Sequence, residues 1–139
     1  MNDRLVGLEY LSPAAATLAP INTLAREVTK QLNAFSKDAR FRFDLPHEIH
    51  GTDFQRSVWE RIGMIPGGST QSYGEIAKTM NTSARAVGTC CGANRLPLII
   101  PCHRVVAAQG IGGFMHTRAE GHALNIKRWL LRHEGALPH

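Results

Sequence analysis

The sequence predicts an α+β protein in which a small N-terminal α/β lobe, residues 1–50, packs on a mostly helical domain, residues 51–139, containing a helix-turn-helix. Three observations predict it. Apolar residues recur at three- and four-residue steps in several segments, extended-type runs are few and short, and 139 residues suffice for one core shared by two small lobes and little more.

"LVGLEYL", residues 5–11, reads as one short strand, and the loop "SPAAATLAP" after it is closed by Pro20. In "INTLAREVTKQLNAF" the spacing of Ile21, Leu24, Ala25, Val28, Leu32 and Phe35 makes the apolar stripe of a helix. "RFRFDLP" alternates charged and apolar side chains like an edge strand, and Pro46 ends it. Thr52 or Asp53 can cap the next helix, whose Phe54, Val58 and Ile62 share a face before Pro66. "PGGST" is a turn. Ser72, with Glu75 three residues on, has the form of a capping box and opens a helix through Ile76, Ala77 and Met80. Ser83 then caps "ARAVGTCC", which Gly92 ends, and two short helices across so tight a turn suggest a helix-turn-helix able to present one helix to DNA. "LPLII" is a short buried run and "AAQGIGGF" a Gly-rich turn. The closing helix, "ALNIKRWLLRHEG", should face Ala123, Ile126, Leu130 and Leu131 inward and stop at Gly135, with Trp59 and Trp129 as packing anchors on their helices.

Composition narrows the function classes. With 43% apolar and 19% charged residues and no long apolar stretch, no membrane span is expected, and without the pattern of an export signal the expected location is the cytoplasm. Charge is unevenly spread. Residues 1–53 carry six Lys and Arg against seven Asp and Glu, whereas residues 54–139 carry ten against four, so the surplus that suits a polyanionic partner lies in the second part. No phosphate-binding glycine motif occurs. Three cysteines, two adjacent at Cys90 and Cys91, have no framework or zinc spacing; those two read as small apolar residues of a short helix, and neither metal nor cofactor is expected. His47, His50, His116, His122, His133 and His139 are scattered without ligand periodicity and read as surface residues.

The chemistry concentrates in "IIPCHRVV", residues 99–106. A free thiol with pKa about 8.5 is mostly protonated at neutral pH, and a neighbouring base or positive charge activates it. His103 and Arg104 stand beside Cys102 to supply both, although side chains next to each other in an extended strand point to opposite faces, so His103 needs a bend or a bridging water to reach the sulfur. Glu134 reads either as a carboxylate that orients His103 or as a solvated side chain at a helix end.

Taken together, "GTDFQRSVWERIGMIPGGSTQSYGEIA", "ARAVG", "IIPCHRVV" and "KRWLLRHEG" closely resemble the O6-alkylguanine-DNA alkyltransferases, also called methylated-DNA-protein-cysteine methyltransferases. The resemblance covers residues 43–139 well, and residues 1–42 look like a shortened form of that family's N-terminal lobe. It implies DNA repair by direct, single-use transfer of an alkyl group from O6 of a flipped-out guanine to Cys102, without metal or cofactor. His103 would be the water-linked base, Glu134 its carboxylate partner, and Tyr73 the proton donor toward N3 of the departing guanine. Arg85 would enter the base stack, with Ser83, Ala84 and Gly88 as further DNA contacts and the helix set in the minor groove. Asn94 would be a hinge, the Val105 carbonyl would accept from the base's amino group, and Arg104, Phe114 and Met115 would complete the pocket. The implied partner is double-stranded DNA carrying O6-alkylguanine, with O4-alkylthymine left open as a second lesion, bound by a monomer.

The chain departs from the family pattern twice. Only "MNTS" separates the two short helices, which leaves the angle of the recognition helix open, and "MHTRAEGHALNIK" replaces a shorter connection that carries a Gly-Gly pair. Met115 stands where a small residue is usual, so methyl should be accepted more readily than bulky alkyl groups. The alternative is a non-enzymatic base-flipping protein that recognises alkylated DNA.

Overall fold

Val58, Trp59 and Ile62 drive one face of α2 (Asp53–Gly63) into the centre of the molecule, where Val58 and Ile62 lose all contact with solvent. The computed structural model describes residues 3–11, 14–113 and 121–138. Thr52 caps α2 as a full capping box with Gln55, and Ser72 and Glu75 do the same for α3 (Tyr73–Met80). Asn81 ends α3 in the left-handed conformation, and two residues later Ser83 caps α4 (Ala84–Gly92), its Oγ accepting from Ala86 N at 3.1 Å. α4 packs on both α3 and α2. Trp59 locks the last of these contacts by donating from Nε1 to Cys90 O at 2.9 Å.

The only sheet among the described residues is a parallel pair, β1 (Gln71–Ser72) with β2 (Val105–Val106), in the register Gln71 to Val105 and Ser72 to Val106. It is short, yet it joins the start of α3 to the segment just after Cys102. A single core of Val58, Ile62, Ile76, Val87, Leu96 and Val105 lies beneath, with α5 (His122–His133) closing the chain. Among the described residues no helix is long and apolar enough to cross a membrane.

Several expectations need correction. Residues 5–11 form no strand: Leu5 bonds Pro46 O and Glu48 N, whereas Leu8 N turns to a different segment at Arg95 O, so only an isolated Leu5–His47 bridge results. "RFRFDLP" is not an edge strand either. Its partner is a side chain, because buried Gln31 of α1 (Thr23–Lys37) donates to Asp44 O and accepts from Asp44 N, both at 2.8 Å. The described part of residues 1–50 thus holds one helix and one bridge where an α/β lobe was expected. Helix α1 buries Gln31 and Phe35, whereas Ile21 precedes it and is exposed. "LPLII" is a turn, with Leu98 at φ +74° and a bridge between Pro97 and Ile100.

In α5 the buried face is rotated from the expected one: Leu124, Lys127, Leu130 and Leu131 are buried, and Ala123 and Ile126 lie at its margin. Lysine on the inner face is why the apolar pattern misleads. Trp129 is half exposed and stacks on His133 at 4.7 Å rather than anchoring the core. His133 in turn bonds Phe35 O at 2.6 Å and meets the Phe35 ring edge-on, which ties α5 to α1.

Candidate active site

Pro101 breaks the approach to the reactive segment and Cys102–Arg104 form one 3-10 turn, closed by Arg104 N on Pro101 O at 2.9 Å. This turn resolves the difficulty of an extended Cys-His pair. Successive side chains fan around an axis instead of alternating, so Cys102 and His103 are both buried, at 6% and 1% exposure, against one core. Asn94 holds the sulfur from the side, its Nδ2 donating to Cys102 Sγ at 3.2 Å and to Ile100 O at 2.9 Å while Oδ1 accepts from Leu96 N.

Thirty-one residues downstream, Glu134 follows the last turn of α5 and is completely buried at its carboxylate. His103 Nε2 lies 2.9 Å from Oε1, Arg104 donates to both oxygens at 3.1 and 2.5 Å, and Arg104 Nη1 donates to Ile65 O at 2.8 Å. Burial pushes the Glu134 carboxyl up, but the hydrogen bonds from His103 and Arg104 outweigh it and hold the group down at about 2. For His103 burial dominates in the other direction, lowering its pKa and keeping the ring neutral despite the carboxylate. The consequence is a defined tautomer. With Nε2–H directed at an ionised carboxylate, Nδ1 keeps its lone pair and can take a proton.

Tyr73, at the start of α3, donates from its hydroxyl to Gly113 O at 3.4 Å. Gly112, at φ +75°, passes so close that a Cβ would lie 2.9 Å from Tyr73 Cε2 and 3.2 Å from its oxygen. Gly112→Ala is expected to cost roughly 1–3 kcal/mol and to displace the Tyr73 hydroxyl. Denaturant midpoints and alkyl-transfer rates measured on the same variant check both parts.

Two groups at the site escaped the reading of the sequence. Lys127 is fully buried and donates from Nζ to Val105 O at 2.7 Å and Gly113 O at 2.8 Å, with the Tyr73 ring 5.8 Å away. Burial lowers its pKa to about 8, against the opposing pull of Cys91 and Cys102, so it is mainly cationic at neutral pH. Its position, three residues after Leu124 and four before Leu131 on the same helical face, was the available signal. Lys127, and not Arg104, is the cation acting on the thiol. The second group is Cys91, which is partly buried against the same core cluster as Cys102. The neighbouring Cys91 thiol and burial raise the Cys102 pKa well above the ordinary thiol range, and Asn94 and Lys127 only partly oppose them. Cys102 therefore rests as a thiol and needs a base.

Residues 53–136 match the DNA binding domain of 6-O-methylguanine DNA methyltransferase. The chain belongs to that family. It is 39% identical over 109 residues to the methylated-DNA–protein-cysteine methyltransferase of Archaeoglobus fulgidus, covering 78% of this chain and 74% of the relative. It is also similar to Mycobacterium tuberculosis OGT solved in complex with DNA, with 40% identity, a TM-score of 0.66, and coverage of 81% of this chain and 68% of that one. S. pombe Atl1, in complex with damaged DNA containing O6-carboxymethylguanine, is 27% identical, with a TM-score of 0.50 over 62% of this chain.

In this member of the methyltransferase family, Cys102, His103, Glu134 and Asn94 converge, with Val105 one turn on. Tyr73 stands across the Gly112–Gly113 segment, and Gly88 of α4 lies on the side toward the Tyr73 ring. Arg85 and Ala84 are exposed at the start of α4 beside the capping Ser83. Arg104 faces Glu134 and Ile65. Phe114 and Met115 lie outside the described residues. Among the described residues no group of three His, Cys, Asp or Glu side chains could hold a metal ion.

Proposed function

We propose that this chain repairs alkylated DNA by moving the alkyl group from O6 of guanine directly onto Cys102. The activity follows from the family; the observation that supports Cys102 as the acceptor is its place beside a neutral histidine whose far nitrogen is bound to a buried carboxylate. The thiol proton passes through water to His103 Nδ1, and Glu134 stabilises the imidazolium that forms. Sulfur attacks the alkyl carbon in line, the S–C bond forms, and the C–O6 bond breaks with its electron pair going to the base. Tyr73 donates toward N3 of that base, with Lys127 nearby to favour a developing phenolate. A thioether offers no easy leaving group, so each molecule acts once.

Docking to DNA would use α3, the turn through Asn81 and α4 as a helix-turn-helix, with residues 51–139 carrying site and interface and residues 1–50 as an accessory lobe. Exposed Arg85 at the head of α4 would occupy the space left by the flipped base, flanked by Ser83 and Ala84. Arg85→Ala is expected to slow repair of duplex DNA by about 10-fold or more while leaving the thermal midpoint unchanged, because the side chain is exposed. Equal repair rates for variant and wild type would remove Arg85 from the mechanism. The Val105 carbonyl already accepts from Lys127 and has a second lone pair for the base's amino group.

The deciding experiment is the intact mass of the protein after incubation with duplex DNA containing O6-methylguanine. One methyl gained and mapped to Cys102 is the expected result. Lesion-selective binding without a methyl gained would favour the second reading, a damage-recognition protein, toward which the likeness to Atl1 with damaged DNA points.

A further inference from the structure

The transfer step leaves Arg104 without a task, because Lys127 is the cation that acts on the thiol. Its side chain is nonetheless fully engaged. Nε donates to Glu134 Oε1 at 3.1 Å, Nη2 to Oε2 at 2.5 Å, and Nη1 to Ile65 O at 2.8 Å, so one planar group grips both oxygens of a buried carboxylate and a backbone carbonyl just beyond α2. The 3-10 turn brings it there. Successive side chains of such a turn point about 120° apart, and His103 and Arg104 converge on the same atom, with His103 Nε2 2.9 Å from Oε1.

Glu134 needs this hold. It lies just past the last residue of α5, and Gly135 then turns the chain at φ +82°, so the helix does not set the direction of a side chain whose last torsion is broad. A carboxylate turned about that torsion would offer His103 Nε2 a different lone pair or none. Two N–H bonds from one guanidinium define the carboxylate plane, and the carbonyl of Ile65, itself buried, fixes the guanidinium in turn. Charge matters as much as direction. A carboxylate facing His103 alone would draw a proton onto the ring, and an imidazolium has no lone pair for the thiol proton.

We propose that Arg104 is a positioning residue for alkyl transfer, holding the Glu134 carboxylate so that His103 stays neutral and presents Nδ1 to the Cys102 proton. The inference rests on the reading of His103 as the base. Arg104 acts only through Glu134. The other charged group acting on His103 is Lys127, also from α5, and Tyr10, near Glu134, stays neutral because burial pushes its ionisation upward.

The test compares Arg104→Met, which keeps bulk and removes charge, with Arg104→Lys, which keeps a charge and removes the planar grip. His103 is titrated by NMR without DNA, its ring nitrogens reporting the tautomer, and single-turnover methyl uptake is followed from pH 5 to pH 9. In Arg104→Met the His103 midpoint should rise by about one pH unit or more, and the acid limb of methyl uptake should move up with it. In Arg104→Lys the midpoint should stay within about half a unit of wild type, while the Nδ1–H tautomer appears and the plateau rate falls about 10-fold. A midpoint and acid limb that stay in place in Arg104→Met would overturn the proposal and leave a merely structural ion pair. If loss of the charge unfolds the chain, Arg104→Lys decides: wild-type tautomer and plateau overturn the proposal, and loss of both in a folded protein supports it. Methyl uptake by the wild type is measured first. Its absence refutes the transfer reading, whereas the NMR titration needs no transfer and still shows whether Arg104 sets the state of His103.

Discussion

Cys102→Ser is expected to gain no methyl from O6-methylguanine DNA while keeping its fold and its preference for the lesion. Serine is nearly isosteric, and its hydroxyl can accept from Asn94 Nδ2 where sulfur now lies at 3.2 Å, so the change in stability should stay within about 1 kcal/mol. Chemistry responds differently. An alcohol holds its proton far more tightly than a thiol of pKa about 8.5, and a neutral imidazole cannot supply enough alkoxide to attack an alkyl carbon. Transfer should fall by at least about 10⁴-fold. Intact mass after long incubation measures it, alongside anisotropy titrations with damaged and undamaged duplex. Methyl uptake at the wild-type rate would mean that the acceptor is another cysteine, with Cys91 the first to map.

Glu134→Gln should lower stability by about 3–5 kcal/mol, a large share of the 5–15 kcal/mol typical of a domain. The carboxylate is completely buried and answers His103 and two Arg104 donors; an amide has the same shape but turns an N–H toward a donor and leaves the guanidinium charge uncompensated. A His103 ring freed from Glu134 no longer has its tautomer imposed, so transfer should slow by roughly 10²-fold even well below the melting temperature. pH separates charge from shape. Because the folded Glu134 pKa is depressed to about 2 from an ordinary value near 4.3, its contribution is present above the ordinary value and is lost as pH falls toward 2. That contribution is roughly 3 kcal/mol. Urea midpoints of the two proteins should therefore converge between about pH 5 and pH 2. A constant gap across that range would show that packing, not charge, is what the variant loses.

How legible this protein was depends on the distance over which each feature is decided. Thr52 with Gln55, Ser72 with Glu75, and Ser83 with Ala86 are contacts three residues apart, so their helix starts could be read directly. The two N-terminal strands could not. Alternation in "RFRFDLP" describes a chain with one dry face, but whether it pairs depends on a neighbour, and the neighbour is the amide of Gln31. Periodicity likewise placed α5 but not its rotation, because Lys127 counts as polar in any pattern although its ammonium is satisfied by two carbonyls inside the protein. Residues 114–120, where the chain departs most from its family, lie outside the described structure, so the preference for methyl rests on Met115 in the sequence alone.

By itself the sequence determined the family, the helical segments with their caps, and the identity of the reactive run Pro101-Cys102-His103-Arg104, because each is written in adjacent residues or in spacings of three and four. Tertiary structure alone decided what surrounds the sulfur. Glu134 reaches His103 from 31 residues away, Lys127 reaches Val105 from 22, and the Asn94 amide reaches the Cys102 sulfur from eight. Those encounters are set by how α4, α5 and the 3-10 turn pack on one core, a many-body outcome of burial that no local spacing encodes.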